Sequence, residues 1–175
     1  MLLLHKSFKM RNANVTIKKI FCFIFLAGIC SSGLRSQDKM GAIKNLVDSG
    51  EFIFHAQTAM PSSGPTKQLT SEYDVRVSKN SFVSHLPYFG RAYSAPYGSG
   101  DGGFNFTSKE FEYSSTTRKK GGWEITIKPK DVADVREFLL TVSENGYGTL
   151  QAMSNNRRPI SFTGFVTEPK EPTDH

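Results

Sequence analysis

The chain has 175 residues, 22 Lys plus Arg against 16 Asp plus Glu, and two cysteines. Six of the basic residues (Lys6, Lys9, Arg11, Lys18, Lys19, Arg35) and both cysteines (Cys22, Cys30) fall within residues 1–36, which hold no acid, so residues 37–175 carry 16 basic against 16 acidic residues and no thiol. That balance excludes a nucleic-acid binder, which needs a basic patch on its folded domain, and it excludes disulfide or thiol chemistry beyond residue 36.

The first segment reads as a secretory signal peptide. A basic stretch leads into eleven apolar residues, Ile20 to Cys30, and then into the small residues Ser31, Ser32 and Gly33. A membrane-spanning helix needs about 20 apolar residues, so the run is too short to be one. Cleavage is expected after Gly33 or Ser36, which places residues 37–175 in the periplasm or outside the cell with no membrane span. Lipid attachment at Cys30 is disfavoured, because Ile29 stands where a small residue is required. What remains is the size of one domain.

Residues 37–49 are the helical candidate. Met40, Ile43, Leu46 and Val47 form a stripe on one helix face, and Gly50 is a natural stop. From there the period changes to two. Phe52, Phe54 and Ala56 alternate with Ile53, His55 and Gln57; Trp123, Ile125 and Ile127 alternate with Glu124, Thr126 and Lys128. Such alternation marks strands with one buried and one wet face. Eight or nine strands are predicted, at 51–58, 72–78, 81–87, 104–107, 110–118, 123–130, 136–144, 147–154 and 160–167. Lys79-Asn80, Gly121-Gly122, Asn145-Gly146 and Asn155-Asn156 supply turns between them, the Asn-Gly pair through its tolerance of positive φ. Short connections imply sequential antiparallel pairing. The expected fold is therefore mainly β: an up-and-down meander closing into a small barrel or strongly curved sheet, with one N-terminal helix. An outer-membrane barrel does not fit strands this short with charges on the face that would meet lipid. Arg118-Lys119-Lys120 and Arg157-Arg158 fall in turns and read as solvated tips. Glu168 to His175 reads as a frayed polar tail.

Several motifs carry a resemblance. Leu69-Thr70-Ser71-Glu72-Tyr73-Asp74-Val75-Arg76-Val77, Leu86-Pro87-Tyr88-Phe89-Gly90-Arg91-Ala92-Tyr93, and Tyr97-Gly98 followed by Asp101-Gly102-Gly103 together resemble a bacterial family, seen mainly in Bacteroidetes, catalogued as domain of unknown function 4251. Ser154-Asn155-Asn156-Arg157 and Ile160-Ser161-Phe162-Thr163-Gly164 are similar to its pattern as well. The resemblance spans roughly residues 40 to 170. It implies an envelope-associated or secreted domain with a lipocalin-like barrel, and it carries over no activity, cofactor or catalytic residue.

The residues themselves offer little for catalysis. His55, His85 and His175 stand apart, with no H-x-H or H-E-x-x-H spacing for zinc. Asp101-Gly102-Gly103 lacks the oxygen ligands of a calcium loop. Gly98-Ser99-Gly100 is not a nucleophile elbow. Most acids alternate with apolar residues and so face water rather than a cleft. The chain therefore reads as non-enzymatic and without a cofactor. The most informative stretch is the connection over residues 88–106, which keeps large aromatic side chains among its glycines. Pro87 ends the strand before it. Connections this long in a compact domain are functional or floppy, and the aromatics argue against floppy. In one reading it lids a pocket at one end of the barrel, where Tyr88, Arg91, Tyr93, Tyr97 and Asp101 contact a small amphipathic or lipidic ligand. In another it folds back as a plug, with Arg91 paired to Asp101 or Asp74. A third reading makes it a docking surface for an envelope protein.

Overall fold

The computed structural model describes residues 34–90 and 102–169, with side chains from Asp38. Residues 1–33, which hold most of the expected signal peptide and Cys30, lie outside the described residues, as do Arg91, Tyr93, Tyr97, Asp101 and most of the polar tail. Contacts divide the chain into Met1–Gln37 and Asp38–His175; helix α1 (Leu34–Ser49) begins in the first, and its later turns and every strand belong to the second.

Nine strands follow α1: β1 (Phe52–Pro61), β2 (Lys67–Ser78), β3 (Ser81–Leu86), β4 (Phe104–Ser108), β5 (Phe111–Thr117), β6 (Trp123–Pro129), β7 (Val135–Val142), β8 (Tyr147–Ser154) and β9 (Ile160–Thr167). All are antiparallel and form one sheet in the order β4-β3-β2-β1-β9-β8-β7-β6-β5, a nearly closed barrel. The alternation in the sequence is realised directly: Trp123, Ile125 and Ile127 are buried while Glu124 and Lys128 are exposed. Pro87 ends β3 at Leu86, as its missing N–H requires.

Sequential pairing holds with one correction. Consecutive strands β4 and β5, joined by only Lys109 and Glu110, are the two edges of the sheet and do not pair; the sheet curls round because β1 pairs with β9. The seam is bridged by other means. Asp131 accepts a hydrogen bond from the Ser108 hydroxyl and one from the Lys109 amide, at 2.9 Å for the latter. The Lys130 amide donates to the Glu110 carbonyl at 2.7 Å. Behind the seam, the Phe82 ring lies 5.7 Å from Phe106 of β4 and 6.0 Å from Phe111 of β5, so one side chain serves both edges.

The barrel interior is filled. Phe52, Phe54, Phe82, Phe104, Phe138 and Phe162 are each fully buried, together with Ile125, Ile127, Leu140 and Leu150. Phe138 sits at the centre, edge-on to Phe82 at 5.1 Å, Phe104 at 5.8 Å and Phe106 at 5.9 Å. Inward-facing side chains of this kind pack the interior of small barrels.

Two local devices shape the wall. Gln57 is an extra residue in β1: Ala56 faces Gly164 and Thr58 faces Thr163, so the strand bulges and its inward face passes from Ala56 to Ala59. Gly148 and Gly164 are register partners on β8 and β9, both at inward positions. A Cβ on Gly164 would stand 1.9 Å from the His55 carbonyl oxygen, and one on Gly148 2.6 Å from that of Thr141. Only glycine lets these strands approach so closely, and the sheet bends there. In the β7–β8 turn Gly146 alone takes positive φ (85°); Asn145 does not, and its side chain instead accepts from Ser143 and from the Tyr147 amide. The turn is therefore a bulged hairpin, in which the Gly146 amide donates to Ser143 at 2.9 Å, rather than the two-residue turn an Asn-Gly pair predicts.

In α1 the stripe is narrower than predicted. Ile43 and Val47 are buried and Leu46 is partly so, while Met40 is 43% exposed. Ile43 packs on Gly146 of the β7–β8 turn, and the last turn of α1 sits on Tyr113, whose hydroxyl donates to the Val47 carbonyl at 2.7 Å.

Candidate functional site

Of the five residues assigned to the 88–106 connection, Tyr88 is described, and it lies at the end of the barrel formed by the β8–β9 turn. Its neighbour there is Arg157, which is buried with 5% of its surface exposed. This corrects the expectation of a solvated Arg157-Arg158 tip: only Arg158 is exposed. The Arg157 guanidinium lies 4.4 Å from the Phe104 ring centre and 5.1 Å from that of Tyr88. It donates to the Gly102 and Gly103 carbonyls and pairs with the Asp134 carboxylate. Tyr88 and Phe104 meet edge-on at 6.0 Å, and the Tyr88 hydroxyl donates to the Arg158 carbonyl at 3.2 Å. Arg157 thus ties together the two described margins of the 88–106 connection, the β6–β7 loop and the β8–β9 turn.

Asp134 is built to hold that cation. Burial alone would raise its pKa, but hydrogen bonds from Arg157, Asn156 and Ser154 outweigh it and hold the carboxyl below the usual range. Asp74, the other proposed partner for Arg91, accepts two hydrogen bonds from Arg76, at 2.8 and 2.9 Å. His55, Asp74 and His85 stand in one cross-strand row on the outer face, which their sequence positions did not reveal. Among the described residues no three His, Cys, Asp or Glu side chains are arranged to hold a metal.

A second site lies on the outer wall, where the Gln57 bulge and the Gly148–Gly164 pair bend the sheet. It is an open trough of about 420 Å³, within the roughly 300–1,000 Å³ of small-molecule clefts. Its lining includes a row of threonines brought into line by register: Thr141 on β7 faces Thr149 on β8, which faces Thr163 on β9. Gln57 and Arg118 stand at its rim, beside Tyr147, which is 57% exposed. Tyr147 leans edge-on against Phe165 at 6.4 Å, and Phe165 stacks on His55 at 5.2 Å. Among the described residues no hydrogen bond engages the side chains of Gln57, Arg118, Thr141, Thr149 or Thr163. No carboxylate lines the trough. Sequence reasoning missed this site because each strand contributes one unremarkable threonine; Gln57, Arg118, Thr163 and Gly164 are singled out in the sequence for other reasons, and nothing in it joins them.

A family model described as a domain of unknown function (DUF4251) matches residues 34–166. The chain belongs to this family. Its fold is similar to the crystal structure of a DUF4251 family protein from Bacteroides eggerthii DSM 20697, with a TM-score of 0.55 at 16% identity, over 74% of this chain and 87% of that one. No curated protein matches the chain. The DUF4251 match spans α1 and all of β1–β8, and it closes at Val166, one residue short of the end of β9. No described helix is long and apolar enough to cross a membrane.

Proposed function

We propose that this DUF4251 domain is a non-enzymatic binding domain of the cell envelope, periplasmic or secreted, that takes a small amphipathic molecule on its outer wall. The observation that carries the reading is where the room lies. Inside the barrel, six phenylalanines of the described residues are fully buried. Outside, a ligand-sized trough gathers Gln57, Arg118, Thr141, Thr149 and Thr163, whose side chains no described residue engages by a hydrogen bond. Threonine lines it with a methyl and a hydroxyl together, which suits a ligand with both apolar and polar faces better than a bare acyl chain. The non-enzymatic reading rests on the residue pattern. Among the described residues, Glu112 is held down by Lys130, Asp131 by Ser108 and Lys109, Asp134 by Arg157, and Tyr113 is raised by burial, each through a contact within the fold.

A second reading, a protein-interaction module that docks through the 88–106 connection, is favoured by Arg157. A buried arginine that fastens both margins of one connection is the kind of anchor a presented binding loop requires.

The test is native mass spectrometry of the full chain purified from its own envelope, followed by solvent extraction, beside a Thr149→Trp variant that fills the trough. A bound mass that Thr149→Trp loses is the expected result. An unliganded mass for both proteins shifts the function to the second reading.

A further inference from the structure

The trough itself narrows the ligand class, an inference that rests on the binding function proposed above. Three features of its lining matter. First, its free polar groups are hydroxyls and one amide, arranged across Thr141, Thr149, Thr163 and Gln57, and these groups can both donate and accept. A ligand that satisfies them must itself carry several closely spaced groups able to do both. Second, the trough has no carboxylate to receive an amine or a metal ion, and it has a single cation, Arg118, at the rim. Third, an exposed aromatic ring, Tyr147, stands at the edge and is held upright by Phe165 and His55 behind it. An acyl chain would leave the row of hydroxyls without partners, which is costly once water is displaced. A polyhydroxylated ring satisfies the hydroxyls with its equatorial oxygens and lays its C–H face on the aromatic ring.

We propose that the trough is a saccharide site: a pyranose ring stacks on Tyr147, hydrogen-bonds to Thr149, Thr163 and Gln57, and turns a ring or carboxylate oxygen toward Arg118.

The experiment is a two-dimensional NMR titration of the full chain, following backbone amides and threonine methyls. The probes are methyl glucoside, N-acetylglucosamine, glucuronate and, as a sugar-free amphiphile, lauryl dimethylamine oxide below its micelle concentration. The expected result is saturable movement of Thr141, Thr149 and Thr163 with at least one sugar, while Ile125 and Phe138 in the core stay still. Tyr147→Ala should weaken that binding roughly tenfold, about 1.4 kcal/mol, with an unchanged melting midpoint, and Tyr147→Phe should retain it. Movement of the threonines with the amphiphile alone overturns the saccharide assignment and leaves the binding function standing. Stillness of the trough with every probe overturns both. Sugar binding unaltered by Tyr147→Ala places the sugar elsewhere and overturns this site.

Discussion

The two ends of β8 lead to differently built closures. At its start, the β7–β8 turn meets Ile43 of α1; that closure is apolar, with one hydrogen bond from Tyr113 to the end of the helix. At its end, the β8–β9 turn carries Arg157 into a knot of charge and backbone carbonyls beside two aromatic rings. An apolar closure draws on area removed from water and is indifferent to acid. A closure built on a buried arginine depends on its carboxylate remaining ionised, and here the Arg157 Nε is buried without a hydrogen-bond partner among the described residues, which adds to its cost. One chain thus carries two closures with different vulnerabilities.

The largest effect is expected from Arg157→Ala. It removes one partner of a buried pair and leaves Asp134 uncompensated; because Asp134 is 26% exposed, the loss should sit near the low end of such cases, about 3 kcal/mol. Denaturant titration checks this, and a loss under about 1 kcal/mol would mean the knot merely occupies space. Arg157→Lys keeps the charge without the planar fork and should still lose about 1.5 kcal/mol, one charged hydrogen bond.

Ile43→Ala strikes the other closure and should lose about 2 kcal/mol, at the modest end for such truncations because one flank of α1 is open to solvent. The comparison sharpens when the two variants are heated across a pH series. Asp134 is held below its ordinary value, so its stabilisation is present above about pH 4 and is lost as the pH falls through its folded value. Ile43→Ala should keep this acid slope and Arg157→Ala should flatten it, apart from a remnant from Asp131, held down by Ser108 and Lys109, from Glu112, held down by Lys130, and from the Asn156 and Ser154 bonds that Asp134 retains. Equal slopes in both variants would dissolve the distinction.

The smallest effect is at Tyr113. Burial, with help from the Asp48 charge, pushes its phenol up to about 12. A raised value means stability that is complete below about pH 10 and is lost as the pH climbs through the folded value. Tyr113→Phe should cost about 1 kcal/mol at neutral pH, one hydrogen bond, and should remove that alkaline limb while leaving the acid one unchanged. Tyrosinate absorbance during an alkaline titration follows the ionisation directly.

The nine strands were legible in the sequence where a buried face alternates with a wet one, as Trp123, Ile125 and Ile127 show; β5, whose residues are exposed or half-buried, was placed by its turns, and β2 begins five residues earlier than predicted, at Lys67. What was illegible is what depends on partners far along the chain. Nothing near Phe52 announces β9, and nothing near Phe111 announces that β5 declines to pair with β4. Arg157 was misread for the same reason. A pair of arginines after two asparagines looks like a wet turn, and its true acceptors lie 23 residues away at Asp134 and 55 away at Gly102. The threonine row exists only once the register of β7, β8 and β9 is known. Among the residues proposed for the 88–106 connection, Tyr88 is placed beside Arg157, and Arg91, Tyr93, Tyr97 and Asp101 lie outside the described residues.

The pairing of β1 with β9 has a consequence for the order in which the molecule forms. His55 and Thr167 touch across 112 positions of chain. Loops of that length close late, after local hairpins. As synthesis runs from β1 onward, β1 emerges first and waits longest, with the edge that β9 will cover left open. Throughout that interval Phe52, Phe54 and their neighbours sit on a half-built sheet with no opposing wall. A polypeptide of this design gains from remaining unfolded until its last strand is available, and truncation before Ile160 would leave a sticky ribbon rather than a smaller barrel.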